Sequence, residues 1–289
     1  QALIAAGAGA LITPLVGDVT DEARLREVFT RFRPELVLHA AAHKHVPLME
    51  SQPGEALKNN VLGTASLARL ASEHGVGQFV LISSDKAVNP TNVMGASKRL
   101  SELVIQGLQA RPDNRTRFVA VRFGNVLASS GSVIPLFRQQ IAEGGPVTVT
   151  HPDVKRYFMT IPEAVGLVLQ SATQGEGGDI LVLEMGEPLR IVDLARQLIE
   201  LSGFRPDVDI EIKIVGLRPG EKLVEELQLE GEHYRPTTHP RILRFVGARP
   251  DHAALDRLLA DVRALLPLER AACKQGLRAL VPEYVPYVD

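Results

Sequence analysis

The stretch Gln78–Phe123 decides the fold: QFVLISSDKAVNPTNVMGASKRLSELVIQGLQARPDNRTRFVAVRF. Its two ends, Gln78–Ser83 and Arg117–Phe123, are apolar runs of strand length, and Asn92–Gln109 between them has the periodicity of a helix. Neither run alternates between polar and apolar residues, so both strands are predicted to be buried on both faces. A strand, a helix and a second strand in this order predict a parallel sheet.

The same alternation continues on the N-terminal side. Leu11–Val16 and Leu36–Leu38 are predicted strands, the second one short and buried, and Asp21–Phe32 and Pro53–Ser72 are predicted helices. The first half of the chain is therefore predicted to be an α/β structure built on a parallel sheet.

After about Gly124 the pattern becomes less regular. Thr160–Glu163 has the form of a capping box, and the helix that it begins is predicted to reach about Ala172. Further predicted elements are a helix at Ile191–Leu201 closed by Gly203, a half-solvated strand at Asp209–Ile214, and amphipathic helices at about Asp251–Leu265 and Leu268–Leu280. We expect a parallel α/β domain over residues 1–150 and a smaller α/β lobe over residues 151–289, with some of the later chain crossing back to the first domain.

Composition excludes several classes of protein. The chain has 289 residues, with 32 Lys and Arg against 34 Asp and Glu, so it lacks the basic excess typical of nucleic-acid binding. The single cysteine, Cys273, excludes an intrachain disulfide and a cysteine-rich zinc site. The longest uncharged stretch, Ala2–Gly17, is shorter than the roughly 20 apolar residues of a membrane span. The sequence therefore predicts a soluble chain that binds no nucleic acid.

Ser83–Lys86 follows a predicted buried strand, at the end where parallel sheets carry their functional residues. A hydroxyl, a carboxyl and an amine together are able to move protons on a substrate alcohol. The alternative is a loop with a helix-capping Asp85 and a solvated Lys86. Met94 and Lys98 share one helix face through their spacing of four residues, a pattern that an ordinary amphipathic helix also produces.

Other candidate groups are less specific. His39, His43 and His45 are close in sequence, but no carboxylate or thiol completes a recognisable ligand set, so we predict no metal site. Arg156 and Arg218 stand in turn-like settings, where a guanidinium suits either a diphosphate or a surface salt bridge.

Gly7–Ala10 resembles the start of a dinucleotide-binding loop. However, Ile12 stands where the third glycine is needed, and no predicted strand precedes the segment. We interpret it as a flexible connector.

Six segments follow one another in a distinctive order along the chain. They are HAAAHKHVPLME (His39–Glu50), NNVLGT (Asn59–Thr64), SSDKAVNPTNVMGASK (Ser83–Lys98), VRFGNVLASSGSVIP (Val121–Pro135), RYFMTIPEA (Arg156–Ala164) and LRPGEK (Leu217–Lys222). From about Val16 to about Leu227 the chain closely resembles the extended short-chain dehydrogenase/reductase family, and within it the CapD-like nucleotide-sugar 4,6-dehydratases of polysaccharide biosynthesis. The resemblance implies that the first domain is a Rossmann-like, doubly wound dinucleotide-binding domain.

The resemblance implies a reaction on a UDP-N-acetylhexosamine, typically UDP-N-acetylglucosamine. A tightly bound NAD or NADP takes hydride from C4, water is eliminated across C5 and C6, and the hydride returns to C6. The product is the 4-keto-6-deoxy sugar, and the cofactor is regenerated in each cycle. The resemblance also implies a homo-oligomer and a parent protein anchored upstream at the cytoplasmic face of a bacterial inner membrane.

The resemblance also assigns roles to residues. Ser84 polarises the C4 oxygen, Asp85 is the acid for the departing C6 hydroxyl, and Lys86 is the base for the C5 proton. Cofactor contacts fall on Asp18, Val19, Ala40, Ala41, Ala42, Asn60 and Lys98, the last of which lies beside the nicotinamide ribose. Substrate contacts fall on Lys44, Asn125, Arg156, Arg218 and Glu221.

The sequence departs from the family pattern at two places. Met94 occupies the position of the tyrosine that, in the wider family, takes the proton of the C4 hydroxyl. The membrane-anchored branch also carries Met there, and Lys86, Asp85 or a water are the candidate bases. The glycine-rich loop, with the first β-α-β unit, is missing from this chain, and we expect it within about 60 residues upstream of Gln1.

Two rival functions stay open. A nucleotide-sugar 4-epimerase on the same fold would not need the acid–base pair of Asp85 and Lys86. A fragment that binds nucleotide sugar without cofactor or turnover would agree with the missing glycine-rich loop, but not with the intact Ser83–Lys86 segment.

Overall fold

The computed structural model describes residues 12–129, 131–228, 233–247 and 250–287. The helices are α1 Glu22–Phe32, α2 Val46–Ser51, α3 Pro53–Ala56, α4 Thr64–Glu73, α5 Val93–Gln109, α6 Val133–Ala142, α7 Ile161–Gln174, α8 Ile191–Leu201, α9 His252–Leu265 and α10 Arg270–Leu280. The strands are β1 Leu36–His39, β2 Gln78–Ile82, β3 Arg117–Arg122, β4 Asn125–Val126, β5 Val147–Val149, β6 Lys155–Arg156, β7 Phe158–Met159, β8 Asp179–Leu183, β9 Leu189–Arg190, β10 Ile212–Ile214, β11 His233–Pro236 and β12 Ile242–Val246. A π-helical segment, Leu57–Gly63, joins α3 to α4, and a 3₁₀ turn, Asp85–Ala87, follows β2.

The central sheet has six strands in the order β1-β2-β3-β8-β12-β11. The first four are parallel, with Gln78 of β2 opposite Leu36 of β1 and Arg117 of β3, whereas β12 is antiparallel to both of its neighbours, β8 and β11. The predicted α/β fold with a parallel sheet is confirmed. Three of the six strands follow residue 150, and the division of the chain into two domains near that residue stays a prediction.

Both faces of the sheet are covered, which explains why its central strands do not alternate. Phe79 and Leu81 of β2 point to one core, with residues of α4, α5, α9 and α10. Val80 points to a second core, with residues of α7 such as Leu167. A third apolar cluster joins α6, α8 and β5 in the later part of the chain. Successive residues of β2 therefore face opposite cores, and the residues on both faces need apolar side chains.

Several helix boundaries follow from local capping, which the sequence predicted at Thr160. The Asp21 carboxylate accepts a hydrogen bond from the backbone N–H of Arg24 at the start of α1. Asn92 caps α5 through Gly95 in the same way. The capping box of Thr160 and Glu163 is present at α7. Side chains that accept these bonds satisfy N–H groups that have no partner inside the helix.

The predicted strand at Leu11–Val16 is wrong. Residues 12–17 form no strand, and Val16 is 91 % exposed. Leu11 itself and Gly7–Ala10 lie outside the described residues. The prediction that β1 is buried is also wrong, since Leu36 and Leu38 are 41 % and 46 % exposed. No described strand forms hydrogen bonds with the outer edge of β1. An apolar run becomes a buried strand only where neighbouring segments pack over it, so Leu36 and Leu38 stay partly exposed.

Two further elements differ in extent from the prediction. The strand at Asp209–Ile214 is reduced to β10, because the Asp209 carboxylate accepts hydrogen bonds from the backbone and guanidinium of Arg205 and closes a turn there. The helix at Pro53–Ser72 is present, but it widens to a π-helix at Leu57–Gly63. There the carbonyl oxygen of Asn60 accepts hydrogen bonds from the hydroxyl groups of Thr64 and Ser101.

The C-terminal part of the described chain crosses the loop that leads into α5. We call residues 281–287 the C-terminal strap. The backbone N–H of Val285 donates to the carbonyl oxygen of Pro90 at 2.9 Å, and the guanidinium of Arg99 donates to Glu283 at 3.0 Å. The strap therefore holds both the entry and the second turn of α5.

No described helix is both long enough and apolar enough to cross a membrane.

Candidate active site

A cavity of about 660 Å³ opens where β2 and β3 end. Parallel strands bring their carboxyl ends to one edge of a sheet, which is where such folds place ligands. Nine of the predicted site residues line it: Ala40, Lys44, Ser84, Lys86, Met94, Asn125, Arg156, Arg218 and Glu221. Residues far apart in the sequence thus meet at one surface.

Asp85 is the centre of the hydrogen-bonding group at the end of β2. Its Oδ1 accepts a hydrogen bond from Ser84 Oγ at 2.8 Å and from Lys86 Nζ at 3.0 Å. The backbone N–H of Asp85 donates to the carbonyl oxygen of Phe123, which ties this turn to the neighbouring strand. The Asp85 side chain is 1 % exposed, and its Oδ2 has no hydrogen-bond partner among the described residues. The structure therefore joins the predicted hydroxyl, acid and amine.

Lys86 lies among acceptors at the wall of the cavity. Besides Asp85, its Nζ is 3.5 Å from Asn125 Oδ1 and 3.5 Å from Glu225 Oε1, and the side chain is 17 % exposed. Burial lowers the pKa of Lys86, but the charges of Asp85 and Glu225 outweigh burial and raise this pKa above its ordinary value of 10.5. The amine is therefore an ammonium group near neutral pH.

The backbone of α5 lies against the turn that carries Lys86. A Cβ on Gly95 would come within 2.1 Å of the carbonyl oxygen of Lys86, so only glycine permits this approach. Met94 lines the cavity from the same helix. Since a thioether accepts no proton at neutral pH, Met94 gives the site shape and no base.

Lys98 is buried one turn further along α5. Its amine forms no hydrogen bond or ion pair with any described residue, and burial, opposed only by the charge of Glu102, lowers the pKa of this amine to about 8. A buried cation without a partner costs free energy, so this position suits an electron-rich group that binds beside it.

The other predicted cofactor residues differ in placement. Asn60 is buried, with its amide between the backbone of His43 and the Ser97 hydroxyl, so it fixes a cavity loop against α5. Asp18 is exposed and accepts hydrogen bonds from Thr20, and Val19 is half-buried. Ala40 lines the cavity, whereas Ala41 and Ala42 follow it without lining it. Contacts of these residues with a cofactor stay predictions.

The predicted diphosphate residues form two groups. Arg156 donates to Glu221 Oε1 at 3.2 Å and to the carbonyl oxygens of Lys155 and Leu223, so its guanidinium is largely engaged inside the protein. The guanidinium of Arg218 is exposed at the cavity and forms no ion pair with a described residue, although its backbone N–H donates to Glu221. Arg218 is thus the more available of the two for an anion.

The three histidines do not meet at one centre. His39 is buried against the Thr64 hydroxyl at 2.8 Å, and burial lowers its pKa to about 3, so it is neutral. His45 lines the cavity. Within the described ranges, no group of three or more His, Cys, Asp or Glu side chains could hold a metal ion.

Two residues of the site were missed by the sequence analysis. Glu225 lies beneath Lys86, and the hydroxyl of Thr150 donates to Glu221 at 3.1 Å. Glu225 stands four residues after Glu221, and this spacing was the available signal. It could not show that both carboxylates turn toward the cavity.

A buried ion pair supports the strand ends below the cavity. Arg122 and Glu102, both fully buried, form two hydrogen bonds of 2.7 Å, and the hydroxyl of Ser83 donates to the same carboxylate at 2.6 Å. The pair therefore connects β2, β3 and α5 directly beneath Ser84.

Comparison with known proteins identifies the family. The model of the family described as "Polysaccharide biosynthesis protein" matches residues 5–246. The chain belongs to this family. Membership confirms the resemblance to extended short-chain dehydrogenase/reductases and to CapD-like proteins.

The curated relatives extend well beyond this chain. The capsular polysaccharide biosynthesis protein CapD of Staphylococcus aureus is 57 % identical over 231 residues, which are 80 % of this chain and 38 % of CapD. The probable polysaccharide biosynthesis protein EpsC of Bacillus subtilis is 51 % identical over 86 % of this chain and 41 % of its own length. A protein named UDP-glucose 4-epimerase from Rickettsia canadensis is 40 % identical over 73 % of this chain and 60 % of its own length. The chain thus spans about two fifths of CapD and EpsC.

Solved structures agree with the Rossmann-like fold. Pen from Bacillus thuringiensis is 32 % identical, with a TM-score of 0.73 over 82 % of this chain and 73 % of Pen. The dTDP-glucose 4,6-dehydratase DesIV from Streptomyces venezuelae is 23 % identical, with a TM-score of 0.64 over 73 % of this chain and 69 % of DesIV. The expected fold class is confirmed.

Proposed function

We propose that the protein is a nucleotide-sugar 4,6-dehydratase that converts a UDP-N-acetylhexosamine, first of all UDP-N-acetylglucosamine, into its 4-keto-6-deoxy derivative for polysaccharide biosynthesis. The observation that carries the proposal is the pair of hydrogen bonds that Asp85 accepts from Ser84 and Lys86 at the cavity. Elimination of water needs an acid and a base held together. Epimerisation at C4 needs no group that protonates a leaving hydroxyl.

Asp85 and Lys86 together donate and recover the protons that the elimination needs. At rest Lys86 donates to Asp85, as an ammonium and a carboxylate. Transfer of one proton along this bond gives a carboxylic acid and a free amine. The acid then protonates the C6 hydroxyl, which leaves as water, while the amine accepts the C5 proton. Both side chains return to their resting forms, so this step takes no proton from solvent.

We assign to Ser84 the role of polarising the C4 oxygen of the sugar. Its hydroxyl donates to Asp85 in the free site and lines the cavity. Once Asp85 carries a proton, this hydroxyl is released to donate to the sugar oxygen, where it polarises the C4 ketone and acidifies the C5 proton. The base for the C4 hydroxyl proton is Lys86, Asp85 or a water, since Met94 supplies none.

The cofactor of the proposed reaction is a nicotinamide dinucleotide. When bound, NAD or NADP would supply the group that accepts the hydride from C4 and later returns this hydride to C6. Lys98 would bring its buried charge to the ribose hydroxyls, and the short side chain of Ala40 leaves room at the wall. Asp18 and Val19 would contact the adenine end. Several solved structures of this fold are described as NAD complexes, which supports this cofactor.

The test is turnover of UDP-N-acetylglucosamine followed by mass spectrometry. The proposal expects a product lighter by one water, whereas the rival 4-epimerase, favoured by the name of the Rickettsia relative, would give a product of unchanged mass. Conversion without loss of water would overturn the dehydratase proposal.

Two substitutions test the acid–base pair. Asp85→Asn and Lys86→Ala should each reduce turnover on the order of a hundredfold or more. Asp153→Asn and Lys213→Ala make the same changes on exposed residues outside the cavity and should leave turnover unchanged. Near-normal turnover of either site variant would refute the assigned roles.

A further inference from the structure

Glu225 is a buried carboxylate that no step above uses. Its side chain is 3 % exposed, with Oε1 3.5 Å from Lys86 Nζ and 3.8 Å from Arg156 Nε. Its Oε2 is buried without a hydrogen-bond partner among the described residues. A buried carboxylate is costly unless cations compensate it, so its place beside the amine needs a reason.

Compensation of Arg156 alone does not explain Glu225. Arg156 already pairs with Glu221 and donates to two backbone carbonyl oxygens, and its approach to Glu225 is the longer of the two. Lys86 lies between two carboxylates, Asp85 on one side and Glu225 on the other.

We infer that Glu225 is a positioning residue that holds Lys86 beside Asp85 and retains the proton that this pair shares between turnovers. The inference rests on the proposed roles of Lys86 and Asp85. If the shared proton escapes to solvent, the pair becomes a free amine and a carboxylate, and no group is left to protonate the C6 hydroxyl.

The charges around Lys86 determine in which direction its pKa shifts when the Glu225 charge is removed. Burial and the like charge of Arg156 lower the pKa of Lys86, while Asp85 and Glu225 raise it, and Glu221 partly offsets Arg156. Removal of the Glu225 charge therefore lowers the pKa of Lys86. An opposite charge at this distance shifts a pKa by about one to three units. The pair should then lose its proton at a correspondingly lower pH.

The experiment compares the wild-type protein with Glu225→Gln at fixed alkaline pH. Limited acetylation with acetic anhydride, followed by mass spectrometry of the peptide containing Lys86, measures the fraction of free amine. We expect Lys86 in Glu225→Gln to react about tenfold faster or more, because one pKa unit changes this fraction tenfold. In parallel, the alkaline limb of the kcat profile should move to lower pH by about one unit or more, with little change in KM.

Glu226→Gln is the matched control. Glu226 is the next residue, is half-exposed, and pairs with Lys222 and Asn89 outside the cavity. It should change neither Lys86 acetylation nor the pH profile. Glu225→Asp keeps the charge but withdraws it by one methylene, so it should shift both readouts less and in the same direction, and it replaces Glu225→Gln if that variant does not fold.

The two proposals fail in different ways. Unchanged acetylation of Lys86 in the Glu225 variants would overturn the inference even if the wild-type protein is a dehydratase. Faster acetylation, together with no loss of water from any UDP-sugar, would uphold the inference about Lys86 and overturn the proposed function.

Discussion

Separation of the buried pair Glu102–Arg122 should cost more stability than any surface ion pair of this protein. Both side chains are 0 % exposed and share two hydrogen bonds of 2.7 Å. Glu102→Gln removes the Glu102 charge from beside the buried guanidinium of Arg122, and Arg122→Met leaves the buried Glu102 carboxylate paired with Arg99, at 3.2 Å. Loss of one partner from such a pair costs about 3–5 kcal/mol. At about 2 °C per kcal/mol for a chain of this size, the Tm should fall by about 6–10 °C.

The assay is urea unfolding followed by circular dichroism. Glu102→Leu combined with Arg122→Met removes both charges and should cost less than either single substitution, since no lone charge stays buried. Glu55→Gln is the matched control, because Glu55 and Lys58 are 3.9 Å apart and more than half exposed, where a pair contributes under about 1 kcal/mol. The reasoning is refuted if Glu102→Gln costs no more than Glu55→Gln, or if the double variant costs the sum of the singles.

Three other predictions follow from the site and the core. Lys98→Met should stabilise the cofactor-free protein by about 1–3 kcal/mol below pH 8, because the lowered pKa of about 8 marks a buried cation. The gain should decrease as the pH rises from 8 to 10.5, above which the amine is neutral in both the folded and the unfolded state, and urea unfolding across this range that shows no such trend would contradict the prediction. Arg218→Lys should raise the KM for UDP-N-acetylglucosamine and Arg218→Ala should raise it further, by about 10- to 100-fold, and calorimetric titration of UDP with equal affinities would show that Arg218 binds no diphosphate. The Cys273 thiol, buried and with its pKa raised by burial, should react with a disulfide reagent only after unfolding, and rapid reaction of the native protein would argue against its place in the core.

Local signals were sufficient for much of the fold. Asp21, Asn92 and Thr160 begin their helices as predicted, because a cap depends on a few neighbouring residues. The strands at Gln78 and Arg117 were also predictable, since burial on both faces demands an unbroken apolar run.

The errors concern properties that depend on distant neighbours. Leu11–Val16 has the composition of a strand, but a strand exists only where another strand supplies hydrogen bonds. Leu36 and Leu38 are exposed for the same reason. In the site, the sequence motifs located Ser84, Asp85 and Lys86 correctly at one strand end. The structure adds two contacts, of Arg156 with Glu221 and of Lys86 with Glu225. Both depend on how a later loop packs against the turn.

The C-terminal strap has a consequence for the order of events during synthesis. Glu283 and Arg99, which it brings together, are 184 residues apart in the chain. At about 5–20 residues per second, a ribosome needs on the order of 10 to 40 s to add that length after α5 has been made. For that time Pro90 lacks the N–H of Val285, and the entry to α5 lacks its outer support. The nascent protein therefore carries every residue of the Ser84–Lys98 segment well before the strap can support Pro90 and Arg99, and the entry to α5 should reach its final arrangement late.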